Sequence, residues 1–200
     1  MKIAVYGATG MVGSQIVAEA LRRGHQVTAV TRTGSEVEGA AARAAELGDR
    51  KAYKEIAGGH DVVVFAIPPS RAGESHEPFV SAHQDIAETL VKARVFVVGG
   101  AGATEVNGVQ LKDTPGFPEA FKPEAESMSR VLDAYRDASG VNWTILAPAP
   151  MIAPGTRTGE YKLGADSPVG DSVSTQDFAV AVLDELENPR HENRRFTVAN

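Results

Sequence analysis

The run Gly7-Ala8-Thr9-Gly10-Met11-Val12-Gly13 constrains the fold more than any other feature of the chain. It follows the apolar stretch Ile3-Ala4-Val5-Tyr6 and opens a segment, residues 11–23, whose apolar positions recur at helical spacing. A glycine-rich turn between a buried strand and an amphipathic helix offers backbone N–H groups and the positive end of a helix dipole to phosphate. In the spacing G-x-x-G-x-x-G, Gly7 allows the tight turn and Gly10 lets the backbone approach a pyrophosphate. Gly13 lets helix and strand pack closely. Gly7, Thr9, Gly10, Met11, Val12 and Gly13 are therefore the candidate phosphate contacts. The same glycines would also serve a β–α turn that holds no ligand.

The remainder of the chain alternates in the same way. Residues 3–6, 26–31, 61–67, 94–98 and 143–146 read as strands, several of them continuously apolar, as strands covered on both faces are. Helices are expected over residues 11–23, 50–57, 78–92 and 119–138, with Gly24 just past the first. A third strand near residues 43–47 is placed by topology alone, because that stretch is rich in alanine. The pattern predicts an α/β fold, a Rossmann-type doubly wound parallel sheet in three layers with right-handed crossovers. No repeat or linker divides it, so residues 1–200 read as one NAD(P)-binding domain, long enough to bury a proper core. Glycine and proline concentrate over residues 151–171, followed by a helix over 175–187 and a last strand over 195–199. Ligands of such sheets lie beyond the carboxyl ends of the strands, so residues 151–200 are expected to wall the substrate side.

The second strand ends at Thr31-Arg32, about twenty residues beyond the glycine loop, where an acidic residue selects NAD and an arginine accommodates a 2′-phosphate. Arg32 stands there with Thr33 and Ser35, and no acid occurs before Glu36. The planar guanidinium suits phosphate, so NADP(H) is expected over NAD(H). A solvent-facing Arg32, or Glu36 or Glu38 folding back to the ribose, is the alternative. The formal charge of −6 argues against nucleic acid or an anionic membrane as partner, since both reward basic patches. Cysteine is absent, which excludes disulfides and thiolate chemistry. The five histidines show no i, i+4 pair, so no metal site is expected, and His83 reads as a surface histidine, with a place facing the pocket as the alternative. With no signal-like leader and no apolar run of about 20 residues, the expected location is cytoplasmic.

Three stretches carry a resemblance: Gly7-Ala8-Thr9-Gly10, Asp61-Val62-Val63-Val64 and Val97-Val98-Gly99-Gly100-Ala101-Gly102-Ala103. Together they are similar to the atypical short-chain dehydrogenase/reductase superfamily. Residues 99–106, Arg157-Thr158-Gly159 and Arg194-Arg195-Phe196-Thr197-Val198-Ala199 resemble its NAD(P)H-binding, NmrA-like subgroup, whose members are provisionally called NADH-flavin reductases. The resemblance spans nearly the whole chain. It implies that Asp49 bonds the adenine amine, although Asp49 would also serve as a helix N-cap. It further implies that Ala66, Ile67 and Pro68 line the adenosine ribose. Gly99 and Gly100 would approach the nicotinamide, and Pro148 to Met151 would back its ring.

Typical members of that superfamily carry Tyr-x-x-x-Lys for proton transfer. Here the comparable stretch offers Phe121 and, four residues on, Ala125. Tyr135 and Tyr161 are followed at that spacing by Ser139 and Ala165, so the pair is missing. Lys122 is the remaining candidate donor or anion clamp, or else a solvated lysine; no other catalytic residue is identified. A flavin or quinone takes hydride while solvent supplies the proton, so positioning would carry the catalysis. The expected activity is NADPH-dependent reduction of a flat small-molecule acceptor by a monomer or homodimer. The alternative is a non-catalytic NADP(H)-binding redox sensor. A sugar-nucleotide epimerase would need a larger substrate domain and the missing pair.

Overall fold

Strand β1 (Lys2–Tyr6) shows why the apolar runs have no polar side. Ile3 and Val5 face one layer of the core, Ala4 and Tyr6 face the other, and all four are buried. The computed structural model describes residues 1–200. From β1 the chain passes through α1 (Gly13–Arg22), β2 (Gln26–Thr31), β3 (Ala41–Ala44), α2 (Arg50–Gly58) and β4 (Val62–Phe65). It continues through α3 (Glu77–Glu88), β5 (Arg94–Val98), a hairpin of β6 (Glu105–Val106) and β7 (Val109–Gln110), and α4 (Lys122–Asp137). The last part comprises β8 (Trp143–Pro148), β9 (Met151–Ala153), β10 (Lys162–Gly164), β11 (Ser172–Ser174), α5 (Thr175–Glu187) and β12 (Arg194–Ala199).

The main sheet has the order β10-β12-β8-β5-β4-β1-β2-β3. It is parallel throughout except for β10, which runs antiparallel to β12 and forms one edge. Helices α2, α3 and α4 cover the face reached by Tyr6, Val63, Phe65 and Val97. Helices α1 and α5 cover the face reached by Ile3, Val5, Val64 and Phe96. The result is the expected three-layer, Rossmann-type doubly wound sheet.

The chain leaves β1 toward β2 and β3, then returns to the other side of β1 with β4 and β5. The order therefore reverses between β1 and β4, and this switch point is where open α/β sheets bind ligands.

Several boundaries differ from the sequence reading. The third strand is Ala41–Ala44, not 43–47, and pairs with Thr28–Thr31 of β2. It is the other edge strand and exposed throughout, so small residues suffice and no apolar signal marks it. Helix α1 begins at Gly13 rather than Met11. Helix α3 stops at Glu88, where Thr89 turns to an extended conformation and its hydroxyl donates to the Asp85 carbonyl at 2.6 Å. Residues Glu119–Phe121 form a separate 3-10 turn ahead of α4. The irregular stretch after residue 150 holds a small parallel pair, β9 with β11.

Candidate functional site

The glycine loop sits at the carboxyl end of β1, beside the switch point. It is held by its own backbone: Gly7 N–H donates to Val30 O at 3.1 Å, Gly10 N–H to Gly7 O at 2.9 Å and Ser14 N–H to Gly10 O at 2.9 Å. The N–H groups of Thr9, Met11, Val12 and Gly13 donate to no backbone carbonyl of the chain. Free N–H groups at a helix start, beside a switch point, fit the phosphates of a dinucleotide. Gly13 is required by close approach, since a Cβ there would lie 2.1 Å from Gly7 O. Side-chain-free backbone on both sides of the turn is the cradle that a bound pyrophosphate needs.

At the end of β2 the turn 31–35 is tied down locally. Ser35 N–H donates to Thr31 Oγ1 at 2.8 Å, the hydroxyls of Thr33 and Ser35 lie 3.1 Å apart, and Gly34 takes a positive φ of 70°. Arg32 projects from this turn, exposed, and pairs with neither Glu36 nor Glu38. Asp49 caps α2, its Oδ1 accepting from Ala52 N–H at 2.9 Å. The cap role is thus filled, and the second carboxylate oxygen accepts no hydrogen bond from the chain. Burial first, and then the Asp49 carboxylate, push the Tyr6 hydroxyl above its usual range.

Across the switch point, β4 runs into Ala66, Ile67 and Pro68. A Cβ on Gly7 would meet Ala66 O at 2.6 Å and Ile67 Cγ1 at 3.0 Å, so this segment abuts the glycine loop. Beyond β5, Gly99 packs on β8, with its N–H donating to Leu146 O at 2.8 Å. A Cβ on Gly100 would meet Met128 Cγ at 3.0 Å, and one on Gly102 would meet Ala125 Cβ at 2.4 Å. Helix α4 therefore lies directly against the backbone after β5. Ala125 is buried in that contact, whereas Phe121, at the helix start, is 58% exposed. Pro148 is buried at the end of β8, and Met151 stands 67% exposed three residues on.

Lys122 lies at the surface, paired with Glu119 at 2.6 Å. Tyr161 donates to Asp184, and Tyr135 is fully buried in the core. Neither tyrosine takes the place of the missing proton-transfer pair. His83 is not a surface residue: it is fully buried among Phe65, Phe79 and Tyr135, its Nδ1 3.2 Å from the Tyr135 hydroxyl. Its Nε2 has no partner, and burial lowers its pKa to about 3. The sequence reading failed there because His83 lies on the apolar face of α3, where the ring packs as an aromatic.

Other contacts at this edge had no sequence signal, because their partners are distant in the chain. Arg157 reaches buried Glu19 of α1 at 2.9 Å. The N–H groups of Thr158 and Gly159 donate to Asp177 of α5 at 2.9 and 2.7 Å. Residues 157–159 are thereby pinned across both helices of that layer. A separate groove of about 210 Å³, lined by Tyr161, Leu163, Asp184, His191 and Phe196, lies between α5 and the β10 edge rather than at the switch point. No helix is long and apolar enough to cross a membrane.

Comparison with known proteins agrees with this geometry. The uncharacterised Bacillus subtilis protein YwnB is 38% identical over 210 residues, covering 100% of this chain and 99% of that protein. A Burkholderia pseudomallei structure, provisionally described as an exported protein, is 39% identical, covers 100% of both chains and superposes with a TM-score of 0.90. A Streptococcus pneumoniae structure, provisionally described as an NADH-flavin reductase, is 30% identical, covers 100% of this chain and 99% of that one, and superposes with a TM-score of 0.89. The profile of a family described as NAD(P)H-binding matches residues 7–189. With its free glycine-loop amides at the switch point of a doubly wound sheet, this chain belongs to that NAD(P)H-binding family.

Proposed function

We propose that the protein is an NADPH-dependent reductase of a flavin, a quinone or a similar flat acceptor. The observation that carries this reading is the start of α4. The family resemblance compares exposed Phe121 and buried Ala125, packed under Gly102, with the tyrosine and lysine of typical members. Neither side chain exchanges a proton, so the chemistry best served is hydride transfer to an acceptor that takes its proton from solvent. The nicotinamide would supply the hydride. The chain's residues would hold the phosphates at Gly7 to Gly13, orient the ring between Gly99, Gly100 and residues 148–151, and leave an apolar rim at Phe121 and Met151 for a flat ring. Arg32, unpaired at the end of β2, supports NADPH over NADH. A cytoplasmic monomer or homodimer acting on a small molecule completes the reading.

The test is oxidation of NADPH and NADH followed at 340 nm with riboflavin, FMN and menadione. The reading expects oxidation that depends on acceptor and is faster with NADPH. Saturable NADPH binding with no acceptor consumed would overturn it in favour of a redox sensor, which should then bind NADPH and NADP⁺ with different affinity.

A further inference from the structure

The segment between β4 and α3, residues 67–75, leaves the switch point and crosses to the first turns of α4. None of its residues donates or accepts a backbone–backbone hydrogen bond. Side chains hold it instead. The Arg71 guanidinium donates to both oxygens of Glu124 on α4, each at 2.8 Å. His76 closes the far end: its Nε2 donates to Ser70 O at 2.7 Å, and its Nδ1 lies 2.7 Å from the Ser127 hydroxyl on α4. The root of the strap, Ile67, abuts the phosphate loop, and α4 abuts the backbone after β5 through Met128 and Ala125. The strap thus joins the segment beside the glycine loop to α4, held there by one exposed ion pair and one imidazole.

We propose that Arg71 and His76 are positioning residues that clasp this strap to α4, and that the dinucleotide leaves only when the Arg71–Glu124 pair parts. The inference rests on the cofactor lying at Gly7 to Gly13 and not on the identity of the acceptor. An exposed bidentate pair contributes modestly, and salt screens it. Its loss is therefore expected to speed release by about three- to fivefold rather than abolish binding.

The experiment is stopped-flow displacement of NADPH, read by its fluorescence, from the full chain with excess NADP⁺. Arg71→Ala, Arg71→Glu and His76→Ala should release faster than wild type, with Arg71→Glu faster than Arg71→Ala. The exchanged pair Arg71→Glu with Glu124→Arg should return to within about twofold of wild type, because the clasp is charge pairing across the strap. Raising NaCl should accelerate release more in wild type than in Arg71→Ala. Melting temperatures should differ little across the set, which separates a clasp from a merely structural contact. Equal release rates, an exchanged pair no slower than Arg71→Glu alone, or rate changes that follow losses in melting temperature would overturn the proposal. Absence of NADPH binding to wild type would overturn it together with the cofactor placement beneath it.

Discussion

Replacing Glu19 with glutamine should destabilise the protein by several kcal/mol at neutral pH, and the loss should shrink with acid. Glu19 sits on α1 with only 4% of its side chain exposed, and Arg22, Arg23 and Arg157 all donate to it. Burial alone would raise its pKa, but the three guanidinium groups outweigh it and hold the carboxyl from 4.5 down to about 2. At 1.36 kcal/mol per pH unit, that difference is worth roughly 3 kcal/mol at pH 7, within the range for breaking a buried pair. Because the folded pKa lies below the unfolded one, this stability is complete above about pH 5 and disappears as pH falls toward 2. By the same linkage, the gap between wild type and Glu19→Gln should fall to roughly 2 kcal/mol at pH 3.5. Urea titrations at both pH values measure it, with m unchanged if only the native state is affected. In a chain of this size, the pH 7 loss corresponds to about 10 °C in Tm. A variant within about 0.5 kcal/mol of wild type at pH 7, the span of ordinary surface changes, would show that the three guanidinium groups do not stabilise the Glu19 carboxylate. So would a gap that does not narrow in acid.

Three further outcomes follow from the site and the core. Gly13→Ala places a Cβ 2.1 Å from Gly7 O, and since backbone cannot yield as a side chain does, about 3 kcal/mol of stability should be lost by chemical denaturation. NADPH affinity should fall with it, because the loop amides are displaced. Arg32→Ala should weaken NADPH about tenfold or more and leave NADH within about twofold, as calorimetry would read for one charged contact to a 2′-phosphate. His83, with its pKa lowered from 6.5 to about 3, stays neutral in the fold while the unfolded chain protonates. Wild-type stability should therefore fall by about 1 kcal/mol per pH unit as pH drops below 6.5. His83→Phe should flatten that slope in urea titrations between pH 6.5 and 4, and an unchanged slope would contradict it.

The parts of the fold written in local chemistry were legible from the residues. Strands buried on both faces, such as Val62–Phe65, announce themselves as unbroken apolar runs, and the glycine loop names the switch point. Edge strands announce little: Ala41–Ala44 has no buried face to pattern, and β10 is three residues long. Side-chain identity alone left Asp49 open between a cap and a ligand contact, and only the 2.9 Å bond to Ala52 N–H showed that the cap is made. The clasp of Arg71 and His76 onto α4 joins residues about fifty positions apart. Such pairs depend on how α3 and α4 pack, which no local pattern encodes. His83 misled for the opposite reason: its polarity suggested solvent, whereas its helical position placed it in an aromatic cluster.

The most direct test of the account is a calorimetric titration of the protein with NADPH and, separately, NADH. One saturable site per chain is expected, with NADPH bound at least tenfold more tightly than NADH, the scale of one charge-assisted contact at Arg32. No saturable heat with either nucleotide would contradict the reading of Gly7 to Gly13 as a phosphate cradle in this chain.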